Sequence, residues 1–96
     1  MNFLEAIAFI NIQLSKCHPS RNYRDFFIGC TNDIEESYKV HQVSSESTWC
    51  IEKFVNSEDV AKAVVDYYHV QGMNSNIENE TGVWIYCYKI TMQTKE

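Results

Sequence analysis

The stretch Phe26–His41, FFIGCTNDIEESYKVH, decides how the rest of the chain is read. Three strand-forming residues lead to Gly29, then Thr31-Asn32-Asp33 offers three successive helix N-cap candidates. Glu35 and Glu36 follow in what would be the first turn, where the helix dipole favours acids. The stretch predicts a strand from Tyr23 to Cys30, ended by Gly29 where the backbone bends, and a short helix presenting Ile34, Tyr38 and His41 on one face. Strand alternation puts Tyr23, Asp25 and Phe27 on one side and Arg24, Phe26 and Ile28 on the other.

Upstream, Asn2 and Glu5 have capping-box spacing, and Phe3, Ile7, Ile10 and Leu14 recur at helical intervals. A helix is predicted over about 3–16, stopped before Pro19. Its apolar character suggests a signal peptide at first sight. It lacks a basic leading region and a small-residue cleavage site, and is read as the first helix of a cytoplasmic protein.

Downstream, Thr48–Val55 reads as a strand with Trp49 and Ile51 on one face and Cys50 and Phe54 on the other. Ser57 starts a third helix over about 58–71, with Val60, Val64, Tyr67 and Tyr68 inward and Gly72 closing it. Asn74 to Gly82 is predicted to be a polar loop. Val83–Ile90 is the strongest strand signal, placing Trp84, Tyr86 and Tyr88 together. The expectation is one α+β domain over 1–96, with a three-stranded, largely antiparallel sheet covered by three helices in the order α-β-α-β-α-β.

Eight Lys plus Arg against thirteen Asp plus Glu give a net charge of −5. This disfavours a nucleic-acid interface built on phosphate contacts, and no apolar run is long enough to span a membrane. Cys17, Cys30, Cys50 and Cys87 are dispersed one per element, so they read as reduced thiols packed as small hydrophobes. With His18 and His69 they offer no C-x-x-C or H-x-x-x-H spacing, so no structural metal is expected.

The run Ile28-Gly29-Cys30-Thr31-Asn32-Asp33, then helix and His41, resembles the second half of the GIY-YIG nuclease motif. Trp49, Asn56-Ser57, Tyr67-Tyr68, Gly72-Met73 and Tyr86-Cys87-Tyr88-Lys89 extend the resemblance to small bacterial and phage proteins of that kind, over about residues 22–90. The resemblance implies a tyrosine, an arginine and a metal-holding glutamate in the catalytic centre. The corresponding positions are Phe27, Ser37 and Val65. A ring without its hydroxyl, a hydroxyl in place of a guanidinium and an aliphatic side chain supply neither transition-state charge nor a metal anchor.

The expectation is therefore a non-catalytic, cofactor-free binding protein that uses an acidic surface on a protein partner, in the manner of a phage-type inhibitor of a nucleic-acid-handling or defence complex. Glu35, Glu36, Ile77, Glu78 and Glu80 are the candidate contacts. One alternative is a magnesium-dependent endonuclease with a rearranged site drawn from Tyr23, Asp25, His41 and Asp66. Another is a nucleic-acid-binding module that stacks bases on Trp84, Tyr86 and Tyr88. The plainer readings are a packed helix-end His41, a solvated Glu35-Glu36 cap, an ordinary loop around Ile77, and aromatics that form a core face.

Overall fold

In the computed structural model, residues 1–17, 22–44, 48–76 and 81–96 are described. Helix α1 spans Phe3–Lys16 and begins with the expected capping box: the Asn2 side chain accepts from the Glu5 amide, and the Glu5 carboxylate accepts from the Asn2 amide. Strand β1 is Phe26–Thr31, α2 is Ile34–Val40, β2 is Cys50–Phe54 and α3 is Glu58–Gln71. The two-residue β3, Asn74–Ser75, and β4, Trp84–Lys89, complete the order. Ser57 caps α3, and Gly72 closes it at φ 116°, a left-handed conformation that suits glycine.

The sheet has four strands in the order β2-β4-β1-β3. Strand β4 lies between β1 and β2 and is antiparallel to both, while β3 pairs in parallel with β1. The three-stranded, largely antiparallel sheet expected from sequence thus gains a parallel edge. That edge comes from the segment read as loop, because Asn74 and Ser75 take up pairing opposite Phe27 and Ile28 as the chain leaves α3. The Asn74 side-chain amide reinforces it by donating to the Arg24 carbonyl at 3.0 Å.

Two details at the start of β1 differ from the sequence reading. Tyr23–Asp25 form a 3-10 turn rather than strand, because the Asn22 side chain accepts from the Arg24 amide and curls the backbone. Gly29 does not end the strand; it lies inside it, opposite Tyr86.

Alternation along the strands builds two separate cores. Phe26, Ile28, Cys30, Ile85 and Cys87 face α1 and α3, meeting Ala6, Ile10, Leu14, Ala61, Val64, Val65 and Tyr68. Phe27, Tyr86 and Tyr88 face the other way, toward Ile34 and Tyr38 of α2, Val43 and Ile90. Tyr67, expected to point inward, is instead 38 % exposed, one helical step away from the fully buried Tyr68, and packs edge-on against Phe3 and Tyr68. The result is a single α+β unit with two helices on one face of the sheet and a short helix on the other. No helix among the described residues is long and apolar enough to cross a membrane.

Candidate functional site: an acidic groove beside a buried histidine cluster

Helix α2 positions most of the chemistry. Asp33 is its N-cap, its side chain accepting from the Glu36 amide at 3.1 Å, and Glu35 and Glu36 stand exposed in the first turn as the sequence implied. The helix lies over the β2 end of the sheet, held there by Tyr38. The Tyr38 hydroxyl donates to the Glu52 carboxylate at 2.6 Å and lies 3.1 Å from the Ile51 carbonyl oxygen. Burial, and then that bond to Glu52, raise the Tyr38 phenol far above its ordinary range, so it stays a neutral donor.

This contact brings Glu52 to α2 and opens a groove of about 360 Å³ lined by Asn32, Asp33, Ile34, Glu35, Glu52 and Trp84. Three carboxylates share the groove with an indole, and the half-exposed Phe54 packs on Trp84 with ring centroids 5.3 Å apart. An aromatic wall beside carboxylates suits a lysine or arginine side chain, which gains charge attraction and a cation–π contact together. Sequence reasoning did not bring in Glu52. The available signal was its place between Cys50 and Phe54, on the sheet face that α2 covers.

His41 caps the far end of α2 and is 4 % exposed. Its Nδ1 lies 2.7 Å from the Lys95 carbonyl oxygen, which can only accept, so Nδ1 carries the proton. In the neutral ring Nε2 then accepts from the Tyr86 hydroxyl at 3.1 Å. The Tyr88 hydroxyl donates to the Glu96 carboxylate and also sits 3.2 Å from Nδ1. Phe27 completes the cluster, its ring stacked on Tyr88 at 5.3 Å and tilted over His41 at 4.7 Å. Tyr86 and Tyr88 are 0 % exposed, so their faces are core surface and are closed to a stacking base. Both imidazole nitrogens are engaged inside the protein, which is the packed helix-end reading of His41.

Replacing His41 by alanine is expected to cost about 3 kcal/mol, from the lost ring packing and from an unanswered Lys95 carbonyl. Urea unfolding followed by circular dichroism measures it; a loss below about 0.5 kcal/mol would show that the cluster is not cemented by the ring.

The remaining sequence candidates are distributed around the fold. Ser37 is buried on α2, on the Phe27 side of the sheet, whereas Val65 is buried beneath α3 on the opposite side. Tyr23 packs edge-on against Tyr68 on the α3 side, with centroids 6.0 Å apart. Asp25 sits in the 3-10 turn, its carbonyl accepting from the Ile90 amide. Asp66 rides on α3 with one carboxylate oxygen buried and without a hydrogen-bond partner. The sheet therefore separates Tyr23 and Asp66 from His41, and the structure does not bring them together. Ile77, Glu78 and Glu80 lie outside the described residues. No family model, curated protein or solved structure matches the chain. Among the described residues, no three His, Cys, Asp or Glu side chains gather as metal ligands would.

Proposed function

We propose that this chain is a non-catalytic binding protein with a GIY-YIG-like fold, which engages a basic surface of a protein partner through the groove beside α2. The observation that carries this reading is the meeting of Asp33, Glu35 and Glu52 with Trp84 in one open groove of a chain with net charge −5. The charge complement is a nucleic-acid-handling protein, whose basic channel this domain would occupy in place of a phosphate backbone, as a small phage-type inhibitor does. The non-catalytic part is supported by the residues at the nuclease positions. Phe27 and Val65 are apolar and buried on opposite sides of the sheet, and Ser37 carries no charge to stabilise a phosphorane.

The test is affinity capture at low ionic strength with the wild-type chain and with the double charge reversal Glu35→Lys/Glu36→Lys, both residues being exposed. The wild type is expected to retain a basic protein that releases as salt rises, and the variant is expected to bind it at least about tenfold more weakly. Equal retention by both chains, or none by either, overturns the acidic-groove assignment. In parallel, supercoiled plasmid with magnesium or manganese is expected to stay intact. Nicking by the wild type that disappears in Asp66→Ala overturns the non-catalytic reading.

A further inference from the structure

Helix α1, FLEAIAFINIQLSK, is apolar on both sides. Its inner side, Ala6, Ile10 and Leu14, is buried in the core. Its outer side carries Leu4, Ala8 and Ile12 at four-residue spacing, with Leu4 75 % and Ile12 55 % exposed. Apolar residues on the outer as well as the inner side of a helix, here flanked by the exposed Glu5, Asn11, Ser15 and Lys16, fit one covered on both faces. Helix α3 continues the apolar surface: Tyr67, which touches Phe3, is 38 % exposed and Val70 is 80 % exposed. Single exposed apolar residues are ordinary, but a stripe continued by a neighbouring helix is the mark of an interface.

We infer that this face docks a second copy of the same chain, as a two-fold dimer with the α1 helices antiparallel and Ala8 at the axis. The stripe is self-complementary about that residue. Turning one copy end for end sets Leu4 against Ile12 of the other, while the small Ala8 side chains let the helices approach closely. Charge agrees with the same arrangement. Glu5 and Lys16 border the stripe on the same flank at its two ends, so antiparallel pairing turns the Lys16 of each copy toward the Glu5 of the other. The acidic groove belongs to the α2 side of the sheet, so the like charges of the two copies stay apart.

At the exposures they show, Leu4, Ala8, Ile12, Tyr67 and Val70 offer on the order of 500 Å² of mostly apolar surface per copy. With a polar rim of Glu5, Asn11, Ser15 and Lys16 this approaches the roughly 800 Å² per partner of a specific interface. A surface of that size, below the standard for a permanent complex, suits a weak and reversible dimer.

In sedimentation equilibrium the wild-type mass is expected to rise from 11.2 kDa toward twice that value as the chain concentration is raised from about one to several hundred micromolar. Ala8→Glu sets two carboxylates against each other on the axis and is expected to weaken the dimer at least about 100-fold, leaving circular dichroism unchanged because Ala8 is exposed. Ala8→Cys is expected to cross-link two chains under mild oxidation, whereas a cysteine at the exposed Val40 on α2 is not. A wild type that stays monomeric throughout overturns the inference and leaves the stripe to a different protein. A dimer that survives Ala8→Glu, or equal cross-linking from both cysteines, places the contact elsewhere and overturns it equally.

Discussion

Alanine at Gly82 is expected to unfold the protein or leave it barely stable. A Cβ at this position would stand 2.0 Å from the Thr31 carbonyl carbon, 2.3 Å from the Thr31 oxygen and 2.4 Å from the Asn32 nitrogen. All three are main-chain atoms, so no rotamer change relieves the overlap; β1 and the residues before β4 would have to separate. That separation breaks neighbouring bonds. The Val83 amide donates to the Asn32 side chain at 3.2 Å, and the Val83 carbonyl accepts from the Val55 amide at 2.8 Å. Overpacking against adaptable side chains costs about 1–3 kcal/mol, and a backbone clash exceeds that. A loss of more than about 3 kcal/mol is therefore expected, a large share of the roughly 5–15 kcal/mol that holds a domain together. Chemical denaturation measures it, and a Gly82→Ala midpoint equal to wild type would show that the two segments are not packed this closely.

The second large effect is alkaline unfolding. Burial pushes the Cys87 thiol well above its usual 9.0, with smaller contributions from Cys17 and Cys50. Burial likewise raises Tyr68 above 10.0, helped by Tyr23, Tyr67 and Cys87, and raises Tyr38, helped by Glu52. Each group is neutral when protonated, so the folded protein holds these protons to higher pH than the unfolded chain does. The linked stability is complete below the unfolded values of 9.0 and 10.0 and is lost as pH climbs from there toward the folded values. Each group contributes a slope of at most about 1.4 kcal/mol per pH unit, approached about a unit above its unfolded value and lessened by solvent screening where the group is partly exposed, so stability falls steeply above pH 10. Stability measured in urea from pH 8 upward should fall accordingly, and Tyr38→Phe should make the fall shallower by about a third. Full ionisation of all six tyrosines near pH 11 with the helical signal intact would contradict it.

Where local chemistry decides structure, the chain announced itself. The bounds of α1 and α3 follow from Asn2 with Glu5, from Ser57 and from Gly72, each a residue whose side chain or backbone freedom does the capping. The aromatic face of β4 followed from alternation alone. What stayed hidden depends on partners distant in sequence. Asn74 and Ser75 have turn chemistry and become strand only because α3 delivers them beside β1. Tyr23–Asp25 alternate as a strand would, but one side-chain bond from Asn22 decides for a turn.

The candidate site divides in the same way. Glu35 and Glu36 were legible as exposed acids on a helix start, and Phe27 as a ring without a hydroxyl. Glu52 entered the groove through a hydrogen bond from Tyr38, fourteen positions earlier, which no spacing rule encodes. The closing of the His41 and Tyr88 cluster, by the Lys95 carbonyl on His41 and the Glu96 carboxylate on Tyr88, was equally invisible, since TMQTKE has neither helical nor strand periodicity to say where it returns.

Strand β2 stands at the margin of the sheet, with only β4 beside it among the described residues. An outer ladder of this kind invites intruding chains, and here Glu52 and Lys53 place one charge on each face of it. If the chain pairs through α1 as inferred above, a rim guarded in this way would leave closed pairs with no free ladder for fibril-like growth.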